Sequence, residues 1–181
     1  MGDGCKPDRM QEGSDMKRVL LTGMSGTGKS TVIEELAERG YKAVDTDYDG
    51  YSELVTASED ELTGLGSGQD WVWREERIQG LLDTEDAEVL FVSGTSPNQG
   101  AFYPQFDDII LLTAPPDVMI ERLTRRTNNP YGKGPGEIER ALLLKDEIEP
   151  LLRRGATHEI DTSRPLDQVV SDVLRELGIK S

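Results

Sequence analysis

Cysteine is nearly missing from this 181-residue chain. Cys5 stands alone, which rules out an internal disulfide and a zinc site built from several thiolates. Histidine is as scarce: His158 is the single imidazole, it has no Cys or His partner at ligand spacing, and it is read as structural. Basic charge is in short supply too, with 20 Lys and Arg facing 35 Asp and Glu for a formal net charge of −15. Such an excess repels a polyanion out to a Debye length of about 8 Å at physiological salt. No Lys/Arg-rich face counters it, so nucleic acid is excluded as a partner. No run of about 18 apolar residues exists to span a membrane, and the opening MGDGCKPDRMQEGSDMKR lacks the apolar core of a secretion signal. A cytoplasmic protein without a membrane partner is expected. What is present suffices for a core: 35% of residues are hydrophobic, beside 19 Gly, and at about 150 residues per domain the length implies one domain.

Residues 1–16 mix Gly, Pro, Asp, Ser and charge without periodicity. They read as a disordered leader, leaving 17–181 as a single domain, expected to be a monomer. Five short apolar runs follow, at 19–22, 43–44, 89–92, 109–112 and 159–160. The continuous ones have the composition of strands buried on both faces. Between them, helical spacing appears in Ile33, Leu36 and Ala37; in Val118, Met119 and Leu123; in Leu142, Leu143 and Ile148; and in Val169, Val170, Val173, Leu174 and Leu177. Strand alternating with helix calls for a parallel five-stranded sheet with right-handed crossovers, a three-layer α/β domain. A short helix is expected around 49–55, and Trp71 and Trp73 are expected in the core. The Gly-rich or polar stretches 57–70 and 128–136 read as substrate loops or a short lid.

The sharpest motif is Gly23-Met-Ser-Gly-Thr-Gly-Lys29-Ser30. It matches G-x-x-x-x-G-K-[ST] between a strand and a helix. Glycines let the backbone wrap so that amides from Ser25, Gly26, Thr27, Gly28, Lys29, Ser30 and Thr31 face an anion at a helix N-terminus. Lys29 then reaches the outer phosphates, and the Ser30 hydroxyl holds Mg²⁺. The implied ligands are ATP and Mg²⁺. Later strands carry no Asp-Glu pair of a mechanical ATPase, and no Asn-Lys-x-Asp guanine reader is present. The second strand instead closes on Asp45-Thr-Asp47, at a sheet end that borders the ligand crevice. Asp45 and Asp47 are candidates to receive a proton from an attacking hydroxyl, and Asp47 to hold magnesium through water with Ser30. The helix ending Glu121-Arg-Leu-Thr-Arg-Arg126 offers Arg122 and Arg126 as cations that neutralise a transferring phosphoryl group.

These features resemble the shikimate kinase branch of the small P-loop kinases, a group that includes gluconate kinases and adenylate-kinase-like enzymes. The resemblance covers 17–177 and adds Pro150-Leu-Leu-Arg-Arg154 and Ile160-Asp-Thr-Ser-Arg-Pro165 to the motifs above. It implies a P-loop NTPase fold and ATP-dependent phosphoryl transfer to a hydroxyl of a small metabolite, the acceptor being unidentified. It implies a catalytic set of Lys29, Asp47 and Arg126, with Arg126 stacking on adenine and Arg164, in the 162–165 loop, on the pocket's other wall. Arg74 falls where such kinases grip an anionic substrate, and Gly94 where they carry a triple glycine. The chain departs from the pattern in Ser93-Gly94-Thr95, in Ile148 where a second substrate arginine is expected, and in a lid offering only Lys133. The catalytic frame looks retained and the acceptor pocket rewritten. Two other readings stay open: an ATP-binding regulatory module with weak hydrolysis, and a nucleoside or nucleotide kinase.

Overall fold

The computed structural model describes residues 15–56, 69–127 and 131–180. In chain order the elements are β1 (Lys17–Thr22), α1 (Lys29–Glu38), β2 (Lys42–Asp45), β3 (Ser52–Thr56), β4 (Gln69–Trp73), α2 (Glu75–Leu82) and β5 (Val89–Ser93). A 3₁₀ segment (Gln99–Gln105) follows, then β6 (Asp108–Thr113), α3 (Pro116–Arg125), α4 (Glu137–Gly155), β7 (His158–Asp161) and α5 (Leu166–Glu176). The main sheet is parallel, in the order β2-β5-β1-β6-β7, and each strand grows from one of the five expected apolar runs. Its residues alternate between two covered faces. Val19, Leu21, Ile110 and Leu112 pack on Val32, Ile33 and Leu36 of α1 and on Val169, Val170 and Val173 of α5. Leu20, Leu90, Val92 and Ile109 face Ile78, Leu81 and Leu82 of α2 together with Trp73, Phe102 and Phe106. A smaller cluster joins Leu111 to Met119 of α3 and Leu152 of α4. Burial on both faces explains why these strands read as unbroken apolar runs instead of alternating ones.

Three expectations are corrected. The segment expected to be helical at 49–55 enters β3, which pairs antiparallel with β4 as a separate two-stranded ribbon. Successive left-handed residues, Asp49 at φ 56° and Gly50 at φ 73°, break any helix there. The cross-strand partnership of Leu54 with Trp71 supplies what a local pattern cannot show. Second, Trp73 is in the core, but Trp71 is 52% exposed. Third, Met16, assigned to the leader, is buried against Leu20 and Phe106; residues 1–14 lie outside the described residues. The 57–70 loop falls outside them up to residue 68, as do 128–130 of the expected lid. Among the described residues, no helix is long and apolar enough to cross a membrane.

Candidate active site

The C-terminal ends of β1, β2 and β5 converge on a crevice of about 810 Å³, roofed on one side by α3 and on the other by the β3–β4 ribbon. In its floor the chain turns from β1 into α1. Gly28 caps α1 at φ 87°, a left-handed conformation that suits glycine, and a Cβ there would come within 3.4 Å of Nη1 of Arg122. The first amides of α1 have no intrahelical acceptor and point outward, as an anion requires. Lys29 folds back over its own loop, its Nζ donating to the carbonyls of Gly23 (2.6 Å) and Met24 (3.1 Å). Desolvation lowers the Lys29 pKa, partly offset by the negative charges of Asp47 and Asp45. Ser25, Gly26, Gly28, Lys29, Ser30 and Thr31 all line the crevice. Thr27 does not: its fully buried side chain donates to the Met24 carbonyl at 2.7 Å, and its own carbonyl accepts from the Thr162 hydroxyl. Thr27 shapes the loop from beneath.

The two aspartates divide. Asp45, the last residue of β2, accepts from the Ser30 hydroxyl through Oδ2 at 2.8 Å and from the Asp47 amide through Oδ1 at 3.0 Å. The pairing places a hydroxyl and a carboxylate side by side, a hard-oxygen donor set suited to magnesium. Ser30 is thus joined to Asp45 and not to Asp47, the carboxylate expected beside it from the sequence. Asp47 lines the crevice itself. Desolvation by the crevice walls raises its pKa, a tendency that Lys29 and Arg126 oppose and Asp45 reinforces.

Three of the four candidate arginines line the same crevice. Arg122 donates through Nη2 to the Thr162 carbonyl (2.5 Å) and through Nη1 to the Thr162 hydroxyl (2.8 Å) and the Gly26 carbonyl (3.4 Å), bracing the phosphate loop against β7. Arg126 donates to the Tyr131 carbonyl at 2.8 Å and sits over the Tyr131 ring at 5.8 Å. Arg164 is paired with Asp172 of α5. Arg74 is elsewhere: it caps α2 on the outer side of the ribbon and pairs with Glu53 at 3.3 Å, half-exposed. Gly94 is also outside the crevice lining, and its role is packing. A Cβ would lie 2.0 Å from the Thr46 hydroxyl and 3.3 Å from the Trp73 indole, so the missing side chain lets Trp73 reach Thr46 with an Nε1 bond of 2.9 Å. In the described part of the lid, Glu137 accepts from the amides of Gly132 (2.8 Å) and Gly134 (2.7 Å), and Lys133 donates back to the Thr124 carbonyl.

Sequence reasoning did not place Tyr48, Ser52, Trp71 or Thr95 in the crevice lining, nor the apolar Val32, Leu166 and Val169. Thr95 holds the start of the phosphate loop, accepting from the Gly23 amide at 3.2 Å and donating to its carbonyl at 2.6 Å. Its position directly after a strand end was a usable signal. Trp71 and Trp73, two apart, announce one face of a strand, but only the pairing with β3 shows that Trp71 stands beyond the core.

An AAA domain family, AAA_18, matches residues 19–145. The shikimate kinase of Pelotomaculum thermopropionicum is 30% identical over 173 residues, spanning 90% of this chain and 96% of that protein. A protein of Erythrobacter litoralis described as a nucleotide-binding protein is 30% identical over 87% of this chain, which spans 50% of that relative. Among solved structures, the shikimate kinase from Acinetobacter baumannii in complex with shikimate has a TM-score of 0.60 at 19% identity, covering 90% of this chain and 93% of that one. A gluconokinase from Sinorhizobium meliloti has a TM-score of 0.53 at 20% identity over 90% of this chain and 91% of that one. These structures share the fold.

Proposed function

The chain belongs to the AAA_18 family and is a small-molecule kinase of the shikimate and gluconate kinase-like P-loop group, and from that premise we propose that it transfers the γ-phosphoryl group of Mg·ATP to a hydroxyl of a small metabolite. The observation that carries this reading is one crevice lined by a phosphate loop with Lys29, by Ser30, whose hydroxyl donates to Asp45, and by Asp47 with its raised pKa. The residues present fit a magnesium nucleotide. The left-handed Gly28 keeps the loop open, and the donor set at Ser30 and Asp45 is of hard oxygens. Magnesium, when bound, offsets phosphate charge. Lys29 leaves the loop carbonyls to meet the developing charge on the outer phosphate, and Arg126 adds a second cation beside Asp47. Asp47 orients the acceptor hydroxyl and takes its proton, because a carboxylate with an elevated pKa is the stronger base. The acceptor oxygen bonds to the γ-phosphorus as that atom's bond to the β,γ-bridging oxygen breaks. The electron pair leaves on ADP, so charge and protons balance. Arg122 and Arg164 wall the nucleotide's other end, and we place the enzyme in the cytoplasm as a monomer.

The test is acceptor-dependent ADP release, measured with the wild-type chain and with Lys29→Ala. A strong response to one class of hydroxyl compound, lost in Lys29→Ala with the fold intact, is expected; unchanged turnover in that variant refutes the assignment. A nucleotide-binding regulatory module is favoured by one observation, the outward turn of Arg74, and it predicts binding of Mg·ATP with no response to any acceptor.

A further inference from the structure

One hydroxyl next to the Ser30–Asp45 pair has no partner. Among the described residues two buried side-chain polar atoms make no hydrogen bond, Ser93 Oγ and Asp172 Oδ2. The Asp172 carboxylate is answered by its ion pairs with Arg164 and Arg175, which leaves Ser93, the fully buried last residue of β5. Its carbonyl is occupied, accepting from the Thr46 amide (2.9 Å) and the Thr46 hydroxyl (2.8 Å). A buried hydroxyl without a partner costs stability, and folded proteins keep few of them. Alanine would fit the same backbone without that cost, so the hydroxyl calls for a reason.

The register of the sheet fixes which way this hydroxyl faces. Ser93 lies beside Leu21 of β1 and Asp45 of β2, and side-by-side residues of neighbouring strands share a face. Leu21, and Phe91 two residues before Ser93, pack against α1, and the Asp45 carboxylate accepts from Ser30 in the first turn of that helix. The Ser93 hydroxyl therefore stands on the α1 face, between Leu21 and Asp45. Thr46 offers it nothing, since its own hydroxyl is taken up by the Ser93 carbonyl and the Trp73 indole. Hydroxyl and carboxylate make no direct bond; across strands about 4.8 Å apart, one water can bond to both. Each Asp45 oxygen already accepts one bond, from Ser30 or from the Asp47 amide, and keeps lone-pair capacity for such a water.

Resting on the phosphotransferase reading, we infer that Ser93 is a positioning residue for magnesium: its hydroxyl and the Asp45 carboxylate together hold a water of the ion's shell, beside the Ser30 hydroxyl. Magnesium gives up its waters reluctantly and is commonly held through them, so the protein groups that orient those waters set its affinity. Asp45 can only accept, whereas the Ser93 hydroxyl both donates and accepts and rotates to suit. The hydroxyl left unpaired in the protein alone gains its partner when nucleotide and ion arrive.

The experiment uses the full chain as wild type, Ser93→Ala and Ser93→Cys. Calorimetry measures ADP binding in EDTA and over a magnesium series, and a thermal melt is taken in EDTA without nucleotide; ADP keeps turnover out of the reading. Magnesium is expected to tighten ADP binding to the wild type. Ser93→Ala raises the half-saturating magnesium concentration by about tenfold or more, as loss of an outer-sphere partner does, while ADP affinity in EDTA stays within about twofold of wild type. The same variant melts at or above wild type, because it removes a polar group that folding left unpaired. Ser93→Cys, close to serine in size but a weak hydrogen-bonding group, shows the same magnesium loss, which sets a cavity aside as the cause. No magnesium effect in the wild type, or a midpoint unmoved by Ser93→Ala, overturns the inference and leaves nucleotide binding standing. A lower melt or failed folding of Ser93→Ala overturns it as well, by making the hydroxyl structural, and so does an equal loss of ADP affinity in EDTA. A wild type that binds no ADP with or without magnesium overturns both this inference and the kinase reading.

Discussion

The two ends of the crevice are built by different means. At the proposed nucleotide end, the candidate contacts come from one continuous stretch, Ser25 to Thr31, and Arg122 of α3 braces that loop against Thr162. At the acceptor end, no two neighbours in sequence suffice. Asp47 and Tyr48 come from the exit of β2, Ser52 and Trp71 from paired strands of the ribbon, and Thr95 from the exit of β5. A ligand common to many proteins can be held by a portable loop whose spacing is fixed by phosphate geometry. A ligand particular to one protein needs surfaces that only the tertiary fold assembles.

The contrast breaks most visibly at Lys29. Lys29→Ala is expected to cut turnover by about 10²–10³-fold, the usual loss when one preorganised transition-state donor is removed, with an unchanged thermal melt in the absence of nucleotide. Asp47→Asn stands at the seam between the ends and is expected to lower kcat by about 10²–10⁴-fold. In the wild type, the acid limb of kcat/KM should sit above the ordinary aspartate range, since desolvation favours the neutral carboxyl. The same shift fixes a stability effect. Below the ordinary aspartate range the carboxyl is protonated whether folded or not, and no penalty exists; as pH rises past that range the unfolded carboxyl ionises first and stability falls, the loss being complete once pH exceeds the elevated folded value. Asp47→Asn should therefore melt higher than wild type at neutral pH and equal to it in acid, and a lower neutral melt would show that Asp47 is net stabilising.

Gly94 tests whether the acceptor end depends on close packing. Gly94→Ala should destabilise the fold by about 1–3 kcal/mol through overpacking against Thr46 and Trp73, and a mutant as stable as wild type would mean that the indole moves aside freely. Arg74 gives the smallest effect. Arg74→Ala removes a half-exposed pair with Glu53, worth about 0–1 kcal/mol. Acceptor KM and kcat should stay within about twofold of wild type, whereas a large KM increase would return Arg74 to the crevice.

How much was legible follows the same division. The five parallel strands were readable because burial on two faces writes itself as apolar runs such as Ile109 to Leu112. The phosphate loop was readable because its chemistry is local. The ribbon was not, since β3 is marked only by Leu54 and Val55 among polar neighbours, and its strandedness comes from β4 across a connection of 12 residues, 57–68. Asp45 and Asp47 were found as a pair, but which one meets Ser30 depends on the turn after β2, where the Asp47 amide bends back to Asp45. Arg74 was not foreseen to fall outside the crevice lining because a motif position says nothing about which way a cap residue faces.

The Trp73 indole reaches across Gly94 to the hydroxyl of Thr46, the residue between the two aspartates, and Thr46 in turn donates to the Ser93 carbonyl at 2.8 Å. The wall that would recognise a substrate is thereby pinned to the segment that would activate it. Tilting the ribbon to admit a bulkier guest would drag the carboxylates off their aim, so selectivity and speed in this protein share one axle, and the cheapest evolutionary route to a new guest is to repaint Trp71 and leave the ribbon's angle alone.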